Sequence, residues 1–112
     1  MKRLLLTLLG VVLLLGLTTA QAAPTPRTPT VTKGVAVVNF AFMPKTLRIM
    51  AGTTVVWKNT TATTTHTTTS DTGLWDRTLA PGATFRRTFS TTGNFPYHCT
   101  IHPSMTGTIV VR

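Results

Sequence analysis

The amino-acid sequence predicts an all-β domain, a two-sheet Greek-key β-sandwich of seven or eight strands. Three observations predict it. β-branched and aromatic residues recur in short runs from Val31 onward, turn residues punctuate those runs, and no stretch sustains the period of an amphipathic helix. Seven or eight strands within roughly 80 residues demand two packed sheets joined by crossing connections.

The first strand is Val35 to Phe40 and the second Thr46 to Met50, with Ala51-Gly52 as the turn into a third from Thr53 to Asn59. In that third strand Val55 and Trp57 lie two residues apart, flanked by the polar Thr54 and Lys58, which suits the two-residue period of a half-buried strand. A threonine-rich connection leads to His66 to Ser70. Pro81-Gly82 is a turn signal before Thr84 to Ser90, which sets Phe85, Arg87 and Phe89 on one face, so that Arg87 interrupts an apolar row. Thr91-Thr92-Gly93-Asn94 turns the chain into Phe95 to Cys99, and Thr106 to Val111 is the final strand. The abundant threonine suits pleated surfaces with one wet face. Trp57, Phe40, Phe85, Phe89 and Phe95 are expected to fill the core, while Trp75 fits either core or surface.

Residues 1–22 read as a signal peptide. Lys2 and Arg3 make a basic start, Leu4 to Leu17 is almost wholly apolar, and Ala20-Gln21-Ala22 is a small-x-small cleavage site. A retained anchor is the alternative, but 14 apolar residues fall short of the ~20 that span a bilayer. Residues 23–33 are a Pro/Thr-rich tether, since three prolines in Ala23 to Thr30 keep it out of a sheet interior. Residues 34–112 form the folded domain. The expected location is therefore exported: periplasm, cell envelope or extracellular side.

Charge narrows the partners. The full chain carries +9, and without residues 1–22 it carries +7, with Asp71 and Asp76 as its two acidic side chains. That favours acidic partners or anionic surfaces. The cations are scattered, without the aromatic interleaving of a nucleic-acid platform, so no nucleic-acid partner is expected. A monomer is expected, with membrane contact only where the N-terminal segment is retained.

Cys99 is the single cysteine and cannot form an intramolecular disulfide. In an oxidising compartment its sulfur needs deep burial or a metal. The run Tyr97-His98-Cys99-Thr100-Ile101-His102-Pro103-Ser104-Met105 places a thiolate, an imidazole and a thioether at three-residue intervals between two strands. A trigonal His₂Cys set with a weak axial Met is the ligand set of electron-transfer copper. The second imidazole falls to His66, 33 residues before Cys99 and at the start of a predicted strand. His98 precedes Cys99 directly, so strand alternation sends its side chain to the opposite side and leaves it at the surface. The expected metal ligands are thus His66, Cys99, His102 and Met105.

Phe40-Ala41-Phe42-Met43-Pro44, Ala51-Gly52-Thr53, Val56-Trp57-Lys58-Asn59, His66-Thr67, Pro81-Gly82 and the Tyr97 to Met105 loop occur in the order seen in the cupredoxin family. From Val35 to Val111 the chain resembles that family, and most of all its plastocyanin- and amicyanin-like members. The resemblance implies a β-sandwich with one copper ion cycling between Cu(II) and Cu(I), and single-electron shuttling between larger redox proteins rather than catalysis. It also implies an apolar docking patch near the His102 edge, from Pro103, Met43 and Pro44. Thr67 departs from the family's usual Asn after the first ligand His; a threonine hydroxyl is able to substitute for it. The alternatives are a periplasmic copper carrier or store without redox duty, a structural sandwich, and a zinc site, the last disfavoured by Met105.

Overall fold

A computed structural model describes residues 10–20 and 30–112. Half of the expected signal peptide and most of the expected tether lie outside the described residues; residues 10–20 form neither helix nor strand. No described helix is long and apolar enough to cross a membrane.

From Thr32 onward the chain is all β. Nine strands follow, one or two more than expected: β1 (Thr32–Val38), β2 (Ala41–Met43), β3 (Thr46–Ile49), β4 (Thr53–Asn59), β5 (His66–Ser70), β6 (Asp76–Leu79), β7 (Thr84–Phe89), β8 (Gly93–His98) and β9 (Thr106–Val111). The two that sequence reading omits, β2 and β6, are the outer strands of their sheets. Both are short, as edge strands commonly are, and β6 carries Asp76 and Arg77, so neither shows a hydrophobic run. β1 begins at Thr32, earlier than the expected Val35, because Thr32 to Gly34 pair with Thr54 to Val56 of β4.

The strands form a four-stranded sheet, β2-β1-β4-β7, and a five-stranded sheet, β3-β9-β8-β5-β6. Two pairs are parallel, β1 with β4 and β3 with β9, and the other pairs are antiparallel. The expected all-β sandwich is therefore the observed architecture.

Between the sheets lie Val35, Val37, Phe42, Val55, Trp57, Leu79, Phe89, Tyr97, Ile109 and Val111. Trp57 is the hub, with its ring 5.6 Å from those of Trp75, Phe85 and Tyr97. Trp75, undecided from sequence, is core: it is 7% exposed and its indole N–H donates to Thr68 Oγ1 at 3.0 Å. Arg87 keeps the apolar row intact by laying its guanidinium over Phe89 at 4.6 Å and Trp75 at 5.1 Å. Phe40 corrects the expectation. It is 62% exposed and sits at the metal end instead of in the core.

Tyr97 shows how tight the β8–β9 contact is. A Cβ added to Gly107 would come within 2.5 Å of the Tyr97 ring, so only glycine fits opposite it. Burial pushes the Tyr97 hydroxyl up to about 12, and the nearby Trp57 indole N–H offsets little of this, since neither group has a partner in hydrogen-bonding geometry.

Candidate metal centre

The site forms where β5 begins and β8 ends. β5 pairs antiparallel with β8, Thr69 opposite His98 and Ser70 opposite Tyr97, and this register carries His66 and Thr67 past the end of β8 to face Cys99. His66 is delivered there by a pinned connection. Asn59, fully buried at the end of β4, donates to Thr64 O at 2.8 Å and Leu79 O at 2.9 Å, while its Oδ1 accepts Thr61 N–H at 3.0 Å. A loop of polar threonines is thereby held like a piece of core.

The other three expected ligands lie on one loop. Met105 N–H donates to His102 O at 2.9 Å, and Cys99 N–H donates to Met105 O at 3.0 Å, which folds the segment back on itself. His66, Cys99 and His102 bring one donor atom each to within 4.8 Å of one another. Cys99 Sγ is 3.9 Å from His66 Nδ1 and 3.7 Å from His102 Nδ1. Cys99, His66 and Met105 are buried and His102 is half-buried. The structure thus brings the three strong donors together and keeps Met105 in the same closed loop.

Neighbouring groups set the state of those donors. His66 Nε2 lies 3.0 Å from Asn39 Oδ1; an amide oxygen only accepts, so Nε2 carries the proton and Nδ1 keeps its lone pair toward Cys99. Burial, reinforced by His102, holds the His66 imidazole below the ordinary histidine pKa and favours the neutral, ligating form. Thr67 N–H donates to Cys99 Sγ at 3.3 Å. The Thr67 hydroxyl accepts Thr100 N–H at 2.8 Å, so it does tie the two ligand-bearing segments together. Its contacts continue to Thr69 Oγ1 at 3.0 Å, which donates to Asp76 Oδ1 at 2.8 Å.

His98 stands apart, as alternation requires, and pairs with Asp71 at the surface. Phe40 is the neighbour that sequence reading misplaced. Its ring meets His102 edge-on at 5.0 Å and His66 at 6.4 Å. Pro103, Met43 and Pro44 are exposed, as a docking patch would require. The one available signal for Phe40 was its position next to Asn39 in a turn, where a large ring has no strand to bury it.

The cupredoxin-like domain profile matches residues 6–111. The chain belongs to the cupredoxin family. Among solved structures, a purple cupredoxin from Nitrosopumilus maritimus aligns at 26% identity and a TM-score of 0.64, covering 70% of this chain and 98% of its own. A reduced amicyanin variant aligns at 26% and 0.63, covering 74% of this chain and 82% of its own. A copper-containing nitrite reductase from Thermus scotoductus aligns at 31% and 0.66, but there the match covers 83% of this chain and only 24% of the enzyme. The donor set fits the family's metal: one soft cysteine sulfur, two imidazoles and a thioether on the Cys99 loop suit copper, and the cofactor is one copper ion.

Proposed function

We propose that this cupredoxin is a one-electron carrier of the type-1 blue copper class, held by His66, Cys99, His102 and Met105 and working outside the cytoplasm between larger redox proteins. The observation that carries the reading is the convergence of Cys99 Sγ with the Nδ1 atoms of His66 and His102 beneath a buried surface. Bound copper supplies a Cu(II)/Cu(I) couple. The protein's contribution is to keep the donors still. Asn39 orients His66, Thr67 N–H meets the Cys99 sulfur, and the Thr67–Thr100 bond fixes the loop against β5. A scaffold that changes little between oxidation states lowers the reorganisation that each electron transfer requires. His102 is the half-exposed ligand and offers the short covalent route to the surface, with Phe40 packed against its edge.

Catalysis is not part of this reading. The nitrite reductase relative contains such a fold as about a quarter of a longer enzyme. Here the third histidine, His98, is engaged by Asp71 and does not join the cluster. Export rests on the N-terminal pattern of the sequence, and the acidic character of the partners on the positive charge.

The visible spectrum of the Cu(II)-loaded protein tests the site. An intense thiolate-to-copper band, bleached by reductant and absent from Cys99→Ser, is the expected result. A folded protein with only weak colour would sink the electron-carrier reading and favour zinc binding or a structural role, whereas facile transfer of copper to an acceptor would favour the carrier-or-store alternative.

A further inference from the structure

The metal donors occupy one end of the sandwich, and the opposite end carries a cleft of about 290 Å³ that electron transfer does not use. β9 connects the two ends: it starts beside Met105 and runs six residues to Val111, about 20 Å of extended chain. Three cations line the cleft, Lys33 from β1, Arg48 from β3 and Arg112 just beyond β9. Each arrives on a different strand. Backbone bonds hold the three approaches together, with Arg112 N–H donating to Ile49 O, Ala51 N–H to Arg112 O, and Thr54 N–H to Val31 O. Ile49 forms an apolar floor, and at the rim Val31 is 54% and Met50 70% exposed.

No carboxylate side chain balances this charge. Asp71 and Asp76 are the sequence's only two, and both are engaged in or beside the β5–β6 hairpin, with His98 and Thr69 respectively. The cleft therefore offers three cationic side chains, with no acidic side chain beside them, above a wet apolar rim. A small inorganic anion would answer the cations and leave Val31 and Met50 in water. A surface that is anionic at its face and apolar just beneath answers both.

The chain supplies a second reason. Val31, on the rim, is where the N-terminal segment joins the domain, and that segment carries the apolar run Leu4 to Leu17. Thr30 lies thirteen residues after Leu17, and a proline-containing segment of that length would reach roughly 40 Å if extended. Where that run is retained as an anchor, or before it is cleaved, this end of the domain is held near the bilayer.

We propose that this end is a docking site for an anionic phospholipid surface. A phosphodiester headgroup sits among Lys33, Arg48 and Arg112, and Val31 and Met50 enter the boundary between headgroups and acyl chains. His102, at the other end, then faces away from the membrane and toward soluble partners.

Vesicle co-sedimentation of residues 30–112 tests the site without the apolar run. This segment holds all nine strands, and the family fold stands without more chain in the purple cupredoxin, 98% of which is covered by the match. Binding is expected to vesicles of phosphatidylglycerol with phosphatidylcholine, and none to phosphatidylcholine alone. The triple variant Lys33→Gln, Arg48→Gln, Arg112→Gln is expected to weaken partitioning about 100-fold, from about fivefold per cation near the surface. Removing the same charge elsewhere, with Lys58→Gln, Arg77→Gln and Arg86→Gln, is expected to have less than about a tenth of that effect. Equal losses in the two triple variants would reduce binding to diffuse net charge and overturn the site. Absence of binding to the anionic vesicles would overturn it as well, as would Met50→Ser with Val31→Ser binding as tightly as the parent. Thermal unfolding of each variant verifies that it is folded. The outcome is independent of copper, so a failure here leaves the electron-carrier reading standing.

Discussion

Thr67 carries two roles at once, and a single substitution separates them. Its backbone N–H meets the Cys99 sulfur, and its hydroxyl accepts the Thr100 N–H at 2.8 Å. Thr67→Val keeps the first and deletes the second, leaving a backbone donor without its partner at a cost of about 1–2 kcal/mol. Because the loop then loosens from β5, the hydrogen bond to sulfur weakens and the reduction potential of the loaded protein falls. Cyclic voltammetry with thermal unfolding checks both effects; Thr67→Ser, which retains the hydroxyl, restores both. The three donors that converge, His66, Cys99 and His102, were legible from residue types and spacing, because few chemistries need a thiolate and two imidazoles so arranged. Phe40 was not legible. Hydrophobicity suggested burial, whereas the turn between β1 and β2 holds the ring at the surface over His102.

At the scale of elements, seven strands announced themselves, the edge strands β3 and β7 among them, and two short edge strands did not. β4 buries Val55 and Trp57 on alternate positions, with Val56 and Lys58 more exposed, and β9 alternates Gly107, Ile109 and Val111 inward with Thr108 and Val110 less buried. β2, three residues bounded by a proline turn, and β6, with two charges in four residues, have no such signature. Their pairing comes from the neighbouring strand rather than from their own sequence. The β8–β9 pair gives the sharpest mutational test. Gly107→Ala drives a methyl into the Tyr97 ring, and overpacking of this kind costs about 1–3 kcal/mol. Denaturant unfolding should show the loss with the m-value unchanged; wild-type stability would mean that Tyr97 has room to move.

Over the whole molecule, charge sets the kinetics of encounter. With nine cationic and two acidic side chains after residue 22, the acidic redox partner proposed above would be steered in, and the second-order rate of electron exchange should then fall about tenfold or more between low and physiological salt. A rate indifferent to salt in stopped-flow measurements would remove steering from the account. The position of β9 has a further consequence, for the order in which the protein is made. β9 lies between β3 and β8 in the five-stranded sheet, although it is the last of the nine strands along the chain. Until Thr106 to Val111 has emerged, β3 has no neighbour and β8 has an open edge, so a nascent chain is unable to close its larger sheet or join the Cys99 loop to a finished scaffold. Closure of the larger sheet is therefore a late step, since long-range pairings of this kind form slowly, in milliseconds to seconds, whereas the four-stranded sheet does not depend on β9.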